Sequence, residues 1–260
     1  MNTQIQKKTP SKYNIFGVNV SATTYEEAAE IVIETSKKNE SVCVSHIPVH
    51  GLVLGATDPV FRTILNSFDI IAPDGMPVKI ALNMLYKTQL HDRVYGPEFM
   101  LRVCQKAALE KIGIYLYGSF PHVIEDLRKN LLGLFPSLVI SGYESPPFRE
   151  LTNEESEDLV ERINSSGARI VFIGLGCPKQ DIFAFKHKKK ISAVQICVGA
   201  AFDFISGNKK MAPQWMQKKS LEWLYRLLQE PGRLWRRYFF TNSIFLYYLF
   251  LQLTGLKKFK

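Results

Sequence analysis

Three stretches of the chain place polar or conformationally free residues directly after runs of β-branched and apolar residues. Residues 69–72 run into Pro73-Asp74-Gly75-Met76-Pro77, which puts one carboxylate on a tight turn at the mouth of a helix. Residues 169–173 run into Gly174-Leu175-Gly176-Cys177-Pro178-Lys179-Gln180, and residues 193–198 into Gly199-Ala200-Ala201-Phe202-Asp203-Phe204. Glycines at such junctions let backbone N–H groups approach a ligand, and a helix N-terminus favours negative charge, so these segments form a candidate cradle for a phosphate or nucleotide. The same residues also punctuate ordinary strand-to-helix turns. Asp74 has two readings, a cap on the helix from Met76 or a general base that takes the proton of an attacking hydroxyl. His46 and His50 bracket Pro48 at the same edge, where a histidine makes either a structural hydrogen bond or a site contact. Near the C-terminus, Arg226, Arg233, Arg236 and Arg237 recur at helical spacing beside Trp223, Tyr225, Trp235 and Tyr238. They read as a solvated face, as a lipid-facing patch worth about 1 kcal/mol per basic residue, or as a clamp on a diphosphate leaving group, for which the planar guanidinium fork is suited.

The elements that must position these groups alternate short apolar runs with longer amphipathic stretches, the pattern of a mostly parallel sheet covered by helices. Strands are expected at 41–45, 69–72, 113–117, 138–143, 169–173 and 193–198. Helices are expected at 24–37, 58–66, 76–86, 96–110, 121–135, 153–165 and 178–188. Thr152 followed by Glu155 marks a capping box, Pro178 suits the first position of its helix, and residues 141–148 read as a surface loop. The fold class is therefore α/β and Rossmann-like, with ligands expected at the carboxyl ends of the strands.

Composition changes after Asn208, dividing the chain into a flexible N-terminus (1–12), an α/β catalytic domain (13–208) and a basic, aromatic, helical appendage (209–260) that associates with a membrane. Residues 220–229 read as an amphipathic helix and 232–238 as an arginine cluster, with Pro231 between them. Residues 239–253 are almost wholly apolar. A helix of that length rises about 22 Å, short of the roughly 30 Å hydrocarbon core, which favours an interfacial helix over a span.

A formal charge of +9 favours an anionic partner. The four cysteines are scattered with no zinc spacing, which indicates a reduced, cytosolic chain without a metal site, and residues 1–13 have the composition of neither a signal peptide nor an anchor. No nucleic-acid motif accompanies the basic residues.

The ordered motifs Ala72-Pro73-Asp74-Gly75-Met76-Pro77-Val78, Arg93-Val94-Tyr95-Gly96-Pro97, Gly174 to Gln180, Gly199 to Phe204, Leu221-Glu222-Trp223-Leu224-Tyr225-Arg226 and Arg233-Leu234-Trp235-Arg236-Arg237-Tyr238 resemble the WecG/TagA/CpsF glycosyltransferases. The resemblance implies an inverting, metal-independent, cofactor-free transfer from a UDP-sugar onto a polyprenyl-diphosphate-linked saccharide at the cytoplasmic face of a bacterial inner membrane. It implies catalytic roles for Asp74, Arg226, Arg233 and Arg237. Donor contacts fall on His50, Gly75, Gly174, Gly176, Pro178, Lys179, Gln180, Gly199, Phe202 and Asp203. Acceptor or membrane contacts fall on Arg93, Trp215, Trp235, Arg236, Phe239 and Phe240. The absence of an Asp-x-Asp pair leaves the diphosphate charge to arginines. The chain departs from the family pattern at Asp181 (commonly glutamate), Met211 (commonly arginine) and Ser220 (commonly glycine), and in the segment Ser45-His46-Ile47-Pro48-Val49-His50. A competing reading is an inactive peripheral membrane scaffold, and apolar surface on the appendage would be covered in solution by a homo-oligomer.

Overall fold

The computed structural model describes residues 9–38, 40–147 and 149–259. The chain opens on an antiparallel hairpin, β1 (Lys12–Ile15) and β2 (Val18–Ser21), joined by Phe16 and Gly17 with φ of 55° and 94°. Positive φ at both central residues gives the turn whose twist matches its flanking strands. Lys12, placed by expectation in the segment 1–12, is the first residue of β1, and residues 1–8 lie outside the described residues.

Six parallel strands follow: β3 (Val42–Ile47), β4 (Ile70–Pro73), β5 (Ile114–Gly118), β6 (Ile140–Glu144), β7 (Ile170–Gly174) and β8 (Val194–Cys197). They lie in the order β4-β3-β8-β7-β5-β6. All six expected strands form. Part of the expected loop 141–148 extends β6, and Phe148 lies outside the described residues.

The covering helices are α1 (Tyr25–Lys37), α2 (Val49–Thr57), α3 (Pro59–Asn66), α4 (Met76–Tyr86), α5 (Gly96–Leu109), α6 (Pro121–Leu134), α7 (Asn153–Ser165), α8 (Lys179–His187) and α9 (Ala201–Ile205). The appendage contributes α10 (Gln214–Lys218), α11 (Glu222–Gln229) and α12 (Pro231–Leu253). The capping box expected at Thr152 forms, and two further side chains cap their helices. Thr24 accepts from the Glu27 N–H, Asp58 from Val60 and Phe61, and Thr152 with Glu155 completes the capping box.

Alternate residues of each strand feed two apolar layers. Cys43, Ile71, Val171 and Cys197 face one side, with the hairpin and α2 to α4, and Val44, Ile70, Phe172 and Ile196 face the other, with α1, α5 and α6. α2 escapes the sequence reading because Gly51 and Gly55 interrupt it, but these glycines let it pack closely. An added Cβ would lie 2.6 Å from Ile47 Cδ1 at Gly51 and 2.7 Å from Val18 Cγ2 at Gly55.

The appendage differs most from expectation. Pro231 stands between α11 and the arginine cluster as expected, but it also starts one continuous 23-residue helix in which the cluster runs on into residues 239–253, as suits a residue with fixed φ and no N–H to lose at the first turn. Residues 239–253 are not free to lie wholly in an interface, because one face of α12 docks on the first apolar layer. Phe245 and Leu249 are buried there, the Phe245 ring 5.4 Å from that of Phe16, and Gln252 bonds the Phe16 N–H and the Asn14 carbonyl. Burying each large apolar side chain contributes about 1.5–3 kcal/mol, enough to hold the helix against the domain. Among the described residues no helix is long and apolar enough to cross a membrane.

Candidate active site

The loops after β3, β4, β7 and β8 open into one cleft of about 1410 Å3, roofed by α11 and the first half of α12. It lies at the carboxyl ends of the central strands, where the sheet order reverses and ligands collect in open α/β folds.

Asp74 lines this cleft at the end of β4. Gly75, not Asp74, is the N-cap of α4, so the capping alternative fails for that helix. The Asp74 carboxylate instead accepts from the Gly96 N–H at 3.0 Å, the first residue of α5. Burial pushes its pKa up, against the pull of Arg93, the Gly96 N–H and Arg226, and with the further push of Glu222. A carboxylate held out of water and aimed at a cleft is a stronger base than one in solvent.

On the opposite wall, the β7–α8 segment is shaped by close backbone packing. A Cβ on Gly174 would come within 2.6 Å of the Phe202 ring, and Gly176 has a φ of 77°. Gln180 is buried, and its side-chain oxygen accepts from the Gly176 N–H at 3.2 Å. It braces the loop while lining the cleft. Gly174, Gly176, Lys179, Gly199, Asp203, Gly75 and His50 line the cleft too. Phe202 and Pro178 do not: Phe202 is wholly buried beneath Gly174, and Pro178 is the N-cap of α8, one residue ahead of its expected place. Their contribution is to hold the loop. His46 is buried, with Nδ1 3.2 Å from the Cys197 carbonyl, and burial lowers its pKa to about 4, so it is neutral.

Three arginines of the appendage, Arg226, Arg233 and Arg237, line the roof. Burial and the facing charges of Arg233 and Arg226 loosen the hold of Arg237 on its proton, and its Nε lacks a hydrogen-bond partner. A half-buried guanidinium with an unused donor, set beside two like charges, is suited to a polyanion. Arg233 is ion-paired with Glu230, which also pairs with Lys209 at 3.1 Å. Glu230 thus holds two cations of this region at once.

Of the residues expected to touch acceptor or membrane, Arg93 lies inside the cleft, ion-paired with Glu222. Trp215, Trp235, Arg236, Phe239 and Phe240 are exposed outside it. The last four continue through Leu246, Tyr247 and Phe250 as one solvent-facing aromatic side of α12. The sequence reading gives no role to Glu222, Tyr95, Trp223 or Tyr238, all in the cleft lining. The signal for Glu222 is that it is one of only two carboxylates, with Glu230, in residues 209–260, set between Leu221 and Trp223 in a largely apolar and basic tail. Among the described residues, no cluster of three or more histidine, cysteine, aspartate or glutamate side chains forms a metal-binding set.

The family described as "Glycosyl transferase WecG/TagA/CpsF family" matches residues 13–259. The chain is 33% identical over 181 residues to an N-acetylglucosaminyldiphosphoundecaprenol N-acetyl-beta-D-mannosaminyltransferase of Bacillus spizizenii (strain ATCC 23059 / NRRL B-14472 / W23), covering 69% of this chain and 68% of the relative. A protein of the same name from Bacillus subtilis (strain 168) is 32% identical, with the same coverage.

Proposed function

The chain belongs to the WecG/TagA/CpsF family of glycosyl transferases, and from that premise we propose that it transfers a hexosyl group, of the N-acetylmannosamine type or a related sugar, from a UDP-sugar to a polyprenyl-diphosphate-linked saccharide. The acceptor hydroxyl oxygen attacks the anomeric carbon from the face opposite the diphosphate. Asp74 takes the hydroxyl proton as the new C–O bond forms, and the bond to the diphosphate oxygen breaks with its electron pair leaving on UDP. One displacement inverts the anomeric centre. Arg226, Arg233 and Arg237 offset the charge that develops on the leaving group, the task a metal performs in other transferases. The observation that carries this reading is the meeting of a desolvated carboxylate with three appendage arginines across one cleft.

The relatives' names specify a diphosphoundecaprenol acceptor, which resides in a membrane. The exposed aromatic side of α12, with Arg236 beside it, is suited to rest on the lipid surface of the cytoplasmic leaflet while the buried side stays on the domain. The test is UDP release from a panel of UDP-sugars with a polyprenyl-diphosphate-saccharide in detergent. Acceptor-dependent release from one donor, unchanged by EDTA, is expected. Release from none, with the protein folded and bound to vesicles, would instead favour an inactive scaffold that uses the same aromatic face.

A further inference from the structure

We propose that Glu222 is a positioning residue for the reaction: docking of α11 brings it onto Arg93, drawing that guanidinium off Asp74 and leaving Asp74 free to act as base. The inference rests on the reading of Asp74 as the base.

Arg93 and Glu222 are ion-paired with side chains only 11% and 10% exposed, a rare setting for charges that are not matched to one another. The Arg93 guanidinium lies 4.2 Å from the centroid of the Tyr95 ring, and the Tyr95 hydroxyl also feels the Glu222 charge. Glu222 therefore fixes the head of Arg93 from one side while Tyr95 supports its plane. The titratable groups facing Asp74 are Tyr25 from α1, Arg93 and Tyr95 from the segment entering α5, and Glu222 and Arg226 from α11. Asp74 makes no ion pair among the described residues, and its carboxylate is engaged by the Gly96 N–H. The neighbouring acid on the Arg93 turn, Asp92, is already used as an acceptor from the Arg93 backbone N–H at 2.8 Å.

Remove Glu222, or lift α11 away, and Arg93 is a buried cation whose nearest remaining compensation is Asp74. An arginine beside an aspartate lowers the carboxyl pKa by about 1–3 and occupies the oxygen that must receive a proton. The carboxylate would then be a poor base until the appendage docks. One side chain of the appendage thus links closure of the roof to readiness of the floor, separately from the arginines that face the leaving group.

The experiment is a 13C NMR titration of full-length protein labelled at the aspartate carboxyls, with the Asp74 signal assigned by its absence in Asp74→Asn. The expected result is that Glu222→Gln lowers the Asp74 midpoint by at least one pH unit, that Arg93→Gln raises it, and that the double variant returns it to within half a unit of wild type. The acid limb of kcat/KM should move with the midpoint, and plateau activity of Glu222→Gln should fall at least tenfold. An unmoved midpoint in either single variant overturns the proposal, as does a uniform loss of rate with the limb in place, which is what a merely structural role gives. If Glu222→Gln does not fold, Arg93→Gln alone decides it. Failure of the base reading is seen separately, as near-normal turnover of Asp74→Asn.

Discussion

Asp181, on the first turn of α8, is 1% exposed. One of its oxygens accepts from the Ser45 hydroxyl at 2.5 Å, and the other lacks a hydrogen-bond partner. Burial carries the carboxyl from its ordinary 3.8 to about 6, opposed by the hydrogen bond from Ser45. At 1.36 kcal/mol per pKa unit, the fold binds this proton about 3 kcal/mol more tightly than the unfolded chain does. The raised value sets the sign. Well below 3.8 the group is protonated in both states and costs nothing; between 3.8 and about 6 the unfolded chain ionises while the fold keeps its proton, so stability falls across that window and is level again above it. Asp181→Asn keeps an acceptor for Ser45 and removes that charge. Its stability relative to wild type should therefore improve by about 2.4 kcal/mol between pH 4 and pH 7.5, an effect of order 5–10 °C in Tm for a chain of this size. Urea unfolding of both proteins at half-unit pH intervals measures it. A stability difference constant within 0.5 kcal/mol across that range would refute the reasoning, since a carboxyl without a perturbed proton affinity gives a flat difference.

Other consequences follow from single positions. Ser220 has a φ of 61°, a left-handed conformation that costs a side-chain-bearing residue about 1–2 kcal/mol, so Ser220→Gly should stabilise by a few tenths to about 1 kcal/mol in thermal unfolding. Gly174→Ala, with its Cβ 2.6 Å from the Phe202 ring, should destabilise by about 1–3 kcal/mol and be partly rescued by Phe202→Leu. Phe239→Glu with Phe240→Glu should lower co-sedimentation with anionic vesicles at least tenfold while leaving Tm and turnover on a detergent-solubilised acceptor within twofold, because both rings are exposed. Retained vesicle binding would place membrane contact elsewhere.

The sheet was legible because the strands other than the edge strand β6 are short, buried runs of mostly β-branched or apolar residues with glycine or proline at or just after their ends. Element ends differed by one or two residues, as helix fraying and shared caps produce. The hairpin was missed because Phe16-Gly17 lacks the usual asparagine or aspartate turn signal, and α2 because its glycines serve helix packing yet read as breakers. Within the site, residues on strand-to-helix turns were found because their position alone sends them to the cleft. Phe202 was misread for a related reason: it shares that turn, but its side chain points under the loop, and backbone position does not determine which way a side chain faces. Glu222 was missed because its importance comes from Arg93, 129 residues away along the chain, which only the folded appendage brings beside it. The appendage itself was read from composition, which registers the aromatic face and not the pair Phe245 and Leu249 that tie it to the domain.

The most direct test of glycosyl transfer through Asp74 is acceptor-dependent UDP release by Asp74→Asn, beside calorimetric binding of the same UDP-sugar. Turnover lowered about a hundredfold or more with donor affinity and Tm preserved is the expected result for loss of a general base. Near-normal turnover would contradict it and leave Asp74 as a carboxylate that only secures the start of α5.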